Sequence, residues 1–151
     1  MEPQNTTNTN SDIAMDKVSD TSAQDNKVIK KKILVIDDDE NLTTVLVDKL
    51  NFSNFDADFA SDGVLGLKKA LETKPDLILL DVKMPNMSGW QTLEKLRVDA
   101  WGEKVKVVML TSLDKPESIA HAMEEGTTFF IVKTNYTLDQ IVEKVKEVLN
   151  S

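Results

Sequence analysis

Asp37-Asp38, Asp81, Thr111 and Lys133 are far apart in the chain, yet each stands at or just after the end of a short apolar run. The runs are Ile33-Leu-Val-Ile36, Leu77-Ile-Leu-Leu80, Val105-Lys-Val-Val-Met-Leu110 and Phe129-Phe-Ile-Val132. Gathered in one place, these residues supply three carboxylates, one hydroxyl and one ammonium. Three ionised carboxylates at close range repel one another, and burying them without compensation is unfavourable. The group calls for a cation. Magnesium suits it best, because it prefers oxygen ligands, takes one or two carboxylates directly and keeps waters that a phosphate can replace. No cysteine and a single histidine, His121, argue against zinc, copper or iron. A carboxylate facing a metal-neutralised phosphate can form an acyl phosphate, which makes Asp81 the candidate nucleophile. Thr111 offers a hydroxyl to a phosphoryl oxygen, and Lys133 offers a cation on a flexible stem.

Such convergence requires the four runs to be parallel strands whose carboxyl ends share one sheet edge. Strands are expected at 32–36, 56–60, 76–81, 105–110 and 128–132. The segments between them carry helical spacing: Leu42, Val45, Leu46, Lys49 and Leu50, then Val64, Leu67 and Leu71, then Leu93, Leu96 and Arg97. A fourth helix is marked by Ile119, Ala122 and Met123, and a fifth by Leu138, Ile141, Val142, Val145 and Val148 or Leu149. Ser88-x-x-Gln91 and Thr137-x-x-Gln140 read as capping boxes, Asp114-x-x-Glu117 opens the fourth helix with Pro116 in its first turn, and Gly126 closes it. Asp39 reads as a helix cap. Five strands alternating with five helices make a (βα)5 α/β chain, and near-continuous apolar strands imply a parallel sheet covered on both faces. Ligands of open parallel sheets bind outside the carboxyl ends of the strands, so the polar residues fall into one crevice.

Bulk properties narrow the function. At 151 residues, one core-forming domain is expected over 30–151. Residues 1–29, rich in Asn, Thr, Ser, Gln and Asp, read as a disordered polar tail, with Ile13, Met15 and Val18 as scattered apolar residues. The formal net charge of -8 argues against a nucleic-acid binder, which needs a basic stripe to neutralise phosphates, so no nucleic-acid partner is expected. Lys30-Lys31-Lys32 is the one concentrated basic run and reads as a solvated flank of the first strand. No apolar stretch reaches the roughly 20 residues of a membrane span, and the polar N-terminus lacks the apolar core of a signal peptide. A cytoplasmic protein without membrane contact is the expectation.

Four segments carry a family resemblance: Ile33-Leu-Val-Ile-Asp-Asp-Asp-Glu40, Leu79-Leu-Asp-Val-Lys-Met-Pro-Asn-Met-Ser-Gly89, Val107-Val-Met-Leu-Thr-Ser112 and Ile131-Val-Lys133. In order and spacing over 32–150, including Asp62-Gly63, the chain resembles the receiver domain of two-component response regulators. The resemblance implies a flavodoxin-like doubly wound parallel sheet of strand order 2-1-3-4-5. It implies that Asp37 and Asp38 are the acidic magnesium pair, that Asp81 is the phosphoacceptor and that Lys83 lends its backbone carbonyl to the metal. By the same resemblance, Thr111 is the switch hydroxyl, Phe130 the switch aromatic and Lys133 the phosphate-facing lysine. The implied donor is a sensor histidine kinase or a histidine phosphotransfer protein. The implied output is a protein target meeting the face of the fourth helix, fifth strand and fifth helix, in a stand-alone receiver without an effector domain.

The chain departs from the family pattern in places. Thr134 stands where proline commonly follows the lysine, which leaves the geometry of 133–137 open. Ser88 replaces a common aspartate and keeps its capping role; Ser112 is the usual small neighbour of the switch hydroxyl. Lys83 and Leu113 flank the site and are expected to tune hydrolysis of the acyl phosphate. His121 reads as a surface residue, and Trp90 and Trp101 as helix packing and loop anchoring. Three other readings stand beside the receiver: an unphosphorylated interaction module on the same fold, a phosphatase and a flavodoxin-like cofactor protein. The second lacks an Asp-x-Asp pattern at Asp81-Val82-Lys83, and the third lacks a Gly/Thr/Ser-rich phosphate loop after the first strand.

Overall fold

Strands β1 (Lys32–Ile36), β2 (Asp56–Ala60), β3 (Leu77–Asp81), β4 (Lys106–Thr111) and β5 (Phe129–Val132) form one sheet in the computed structural model, which describes residues 29–112, 120, 124 and 129–151. The order is β2-β1-β3-β4-β5 with every pairing parallel, the expected 2-1-3-4-5. Between them lie helices α1 (Glu40–Phe52), α2 (Gly63–Thr73) and α3 (Gly89–Arg97), and a C-terminal helix spans Leu138–Leu149. The fourth expected helix, with Asp114, Pro116, Ile119, His121, Ala122, Met123 and Gly126, lies outside the described residues, apart from single positions 120 and 124. So do Leu113 and the N-terminal stretch up to residue 28.

The apolar strands are buried on both sides because alternate residues serve two cores. Ile33, Val35, Leu77, Leu79, Val108, Leu110 and Ile131 pack with Leu46 and Leu50 of α1 and with Ile141 and Val145 of the C-terminal helix. Leu34, Ile36, Ile78, Leu80, Val107 and Met109 pack on the opposite side with Ala70 of α2 and with Leu93 and Leu96 of α3. Each fully buried Leu or Ile contributes roughly 1.5–3 kcal/mol relative to exposure. Trp90 and Trp101 lie against this second core, as their packing roles required.

The helix starts agree with their sequence signals. Asp39 caps α1 by accepting the Leu42 amide, and Asp62 caps α2 by accepting that of Leu65. Both capping boxes, Ser88 with Gln91 and Thr137 with Gln140, are complete. The buried face of α2 differs from the one its large residues indicate. Val64, Leu65 and Leu71 are exposed, whereas Gly63, Gly66 and Ala70 face inward. The cause is close approach: a Cβ on Gly66 would come within 2.6 Å of Ile36, so only a backbone-thin face lets α2 lie on β1. In α1, likewise, Val45 is exposed and Thr43 is buried, with its hydroxyl donating to the Asp39 carbonyl at 2.8 Å. No helix among the described residues is long and apolar enough to cross a membrane.

Candidate metal and phosphoacceptor site

Register brings the acidic residues level. Ile36 pairs with Leu80, so Asp37 emerges from β1 beside Asp81, the last residue of β3. Asp81 pairs with Leu110, and Thr111 follows as the last residue of β4. Thr111 in turn pairs with Val132, and Lys133 follows β5. The strand-end residues therefore step across one edge, as their spacing required.

One carboxylate oxygen each from Asp37, Asp38 and Asp81 lie within 4.8 Å of one another. Asp37 and Asp81 are buried and Asp38 is exposed. Lys133 bridges the buried pair: its Nζ donates to Asp37 Oδ2 at 2.7 Å and lies 3.5 Å from Asp81 Oδ1. Backbone amides fix the carboxylates further. Asp39 N donates to Asp37 Oδ1 at 2.9 Å, and Val82 N donates to Asp81 Oδ1 at 2.9 Å. The Asp37 amide is itself tied to the Ala60 carbonyl of β2 at 3.1 Å. These amide anchors carry little signature in the sequence, because every residue type except proline supplies an N–H.

Electrostatics are uneven across the cluster. Burial pushes the Asp81 carboxyl up to about 7, the Asp37 charge adds to the rise, and Lys133 and the Val82 amide oppose it. Burial alone would lower the Lys133 ammonium, but its bond to Asp37 and the charge of Asp81 outweigh this and hold it above the usual lysine value. One ammonium thus faces three carboxylates. The all-oxygen donor set, the separations and the uncompensated charge fit a hard divalent cation such as magnesium, with Asp37, Asp38 and Asp81 as the residues placed to hold it.

The loop after Asp81 is shaped by backbone geometry. Asn86 adopts a left-handed φ of 69°, which asparagine tolerates, and Met87 N donates to the Pro85 carbonyl at 2.8 Å. Gly89 N then donates to the Val82 carbonyl at 2.7 Å, and a Cβ on Gly89 would overlap the Asp81 carbonyl oxygen. Only glycine permits α3 to start against the strand end that carries Asp81. Lys83 is exposed on this loop.

Thr111 is fully buried, and strand alternation sets it with Val107 and Met109 on the α2–α3 side of the sheet. Phe130 is half-buried against the same core. Lys133 opens a single 3-10 turn, Lys133–Asn135, where Thr134 is accommodated on the surface.

The comparisons agree with this geometry. Residues 33–146 match the response regulator receiver domain family, and the chain belongs to it. It is a receiver domain of two-component signal transduction, and the clustered carboxylates of Asp37, Asp38 and Asp81 are consistent with a phosphoaccepting function. Among named relatives, it is 36% identical over 121 residues to the alkaline phosphatase synthesis transcriptional regulatory protein PhoP of Bacillus subtilis, covering 80% of this chain and 49% of that protein. The chain spans about half the length of the transcriptional regulators it first matches. A CheY-like receiver domain protein from Methanospirillum hungatei superposes with a TM-score of 0.75 at 28% identity, covering 81% of this chain and 95% of that one. The receiver domain of the Pseudomonas aeruginosa sensor histidine kinase PA1611, 19% identical with a TM-score of 0.74, shares the fold over 82% of this chain and all of its own. That protein holds a magnesium ion coordinated in its active-site cleft.

Proposed function

We propose that Asp81 is the phosphoacceptor, that Asp37 and Asp38 with Asp81 hold magnesium, and that the donor is a phosphohistidine on a sensor kinase or a phosphotransfer protein. The observation that carries this reading is the Lys133 ammonium set between two buried carboxylates, with a third within metal-sharing distance. An oxygen of Asp81 attacks phosphorus as the P–N bond of the donor breaks. The imidazole leaves with the electron pair and takes up a proton, and an acyl phosphate remains. Magnesium, when bound, neutralises the phosphoryl oxygens, with the Lys83 carbonyl as a further ligand. The magnesium in the Pseudomonas receiver's cleft supports this assignment.

Phosphorylation adds roughly one and a half to two negative charges. Lys133 then exchanges part of its bond to Asp37 for the phosphoryl oxygens, and the Thr111 hydroxyl moves toward them from the core side of β4. The space it leaves lets Phe130 turn inward, which re-forms the face of β5, the C-terminal helix and the segment between β4 and β5 for a protein target.

Beryllium fluoride with magnesium mimics the phosphoryl group and tests the assignment. Fluorine resonances of the bound adduct are expected in the wild-type chain, and their absence there, or their persistence in Asp81→Ala, refutes it. Lys83 is exposed two residues after Asp81, which supports a part for it in tuning hydrolysis. Lys83→Asn is expected to change the half-life of the acyl phosphate several-fold, about 1 kcal/mol in barrier. An unchanged dephosphorylation rate would remove Lys83 from this role.

A further inference from the structure

The amino ends of the strands, away from Asp81, hold a second polar constellation. There a cavity of about 300 Å³ is lined by Lys31, Lys74, Lys104 and Lys106, by one acid, Asp76, and by an apolar wall that includes Trp101. A local excess of three positive charges stands out on a chain whose net charge is -8. The volume is at the lower end of small-molecule sites, which run roughly 300–1,000 Å³.

The walls are built rather than loose. Asp76 is tied to the first strand: it accepts the Lys32 amide at 2.7 Å, and its own amide donates to the Lys32 carbonyl at 2.8 Å. Asp99 accepts the amides of Trp101 and Gly102 at 2.9 Å each. Arg97 Nη1 donates to the carbonyls of Gly102 at 2.7 Å and Val105 at 2.8 Å, which fixes the loop bearing Trp101 and Lys104. Lys106 is committed to the end of the C-terminal helix, donating to the Val148 carbonyl at 2.8 Å. Lys31, Lys74 and Lys104 have no side-chain partner among the described residues.

Lys74 adds a backbone argument. It ends α2 with φ 48° and ψ 65°, and its amide donates to the Ala70 carbonyl at 2.8 Å. Glycine is the low-strain residue for such a left-handed stop. A lysine there accepts backbone strain at a position that lines the cavity, a pattern that points to use of the side chain.

We propose that this cavity binds a small molecule joining a phosphate group to an aromatic body, of the nucleoside phosphate class. Lys31, Lys74 and Lys104 pair with the phosphate oxygens, for which ammonium groups serve as mobile point charges. The ring lies against Trp101, since aromatic side chains accept any base face. This site is separate from the phosphoacceptor cluster and stands or falls independently of it.

The test titrates the full chain carrying Trp90→Phe, so that Trp101 alone reports, with ADP in the presence of EDTA. Isothermal calorimetry on the wild-type chain reads the same binding without the reporter. A saturable change in Trp101 emission is expected, with affinity lowered about tenfold or more in Lys74→Gly/Lys104→Ser, as the loss of two charge-assisted contacts implies. That variant should unfold at or above the parent's midpoint, since glycine relieves the left-handed position. Inorganic pyrophosphate is the second probe and is expected to bind more weakly than ADP. Absence of saturable ADP binding by either method, equal affinity in the lysine variant, or pyrophosphate binding as tightly as ADP would overturn the proposal.

Discussion

Lys133→Met is expected to lower the stability of the metal-free protein at pH 8 by about 3 kcal/mol and to slow phosphoryl uptake by about 100-fold. Methionine nearly fills the volume of the lysine stem but removes the ammonium. Asp37, whose side chain is 1% exposed, then loses the 2.7 Å partner that compensates its burial. Breaking one member of a buried pair costs more than deleting both, because the remaining charge stays desolvated. The penalty is reduced somewhat because the Lys133 side chain is 20% exposed and water reaches it. Magnesium should restore much of the stability by binding only the folded form. It should not restore the rate, since the cation that meets the transferred phosphoryl group is gone. Urea unfolding with and without magnesium, beside acetyl phosphate kinetics, separates the two effects. An unchanged midpoint in EDTA would show that Lys133 does not compensate the buried pair.

The second large effect concerns Asp81 itself. Its carboxyl titrates near 3.8 in an unfolded chain and is pushed up to about 7 in the fold, first by burial and then by Asp37. The folded protein therefore binds this proton more tightly than the unfolded one. The favourable contribution is complete below about pH 4 and is lost as pH climbs through 7. For the metal-free chain at pH 8, the ionised Asp81 costs on the order of 4 kcal/mol of stability. Asp81→Asn removes the charge while keeping the shape. It should be more stable than the wild type above pH 7 in EDTA, with the gap closing toward pH 4 and narrowing when magnesium is added to both. Chemical denaturation at stepped pH reads this directly. A constant difference between the two proteins from pH 4 to 8 would contradict the assigned titration.

Much of this was legible in the sequence, for identifiable reasons. The strands are apolar at consecutive positions because both sheet faces are covered, so Ile33–Ile36 and Leu77–Leu80 announce themselves. Ser88, Thr137 and Asp39 mark helix starts through side-chain acceptors that local spacing reveals. Once the strands are parallel, Asp37, Asp81, Thr111 and Lys133 must share an edge. The buried face of α2 was not legible: Gly63, Gly66 and Ala70 pack by thinness, and hydrophobic periodicity follows the exposed Val64 and Leu71 instead. The closer bond of Lys133 to Asp37 than to Asp81 depends on side-chain geometry that strand-end position leaves open. The amides of Asp39 and Val82 that hold the carboxylates belong to the backbone and leave no residue-type signal.

Incubation of the wild-type chain with acetyl phosphate and magnesium, followed by intact mass, reads phosphoryl transfer to Asp81. One phosphoryl group is expected to add to the wild type, none in EDTA and none to Asp81→Ala. No mass gain in the wild type would favour an unphosphorylated interaction module on the receiver fold, and a gain retained by Asp81→Ala would place the phosphoacceptor elsewhere.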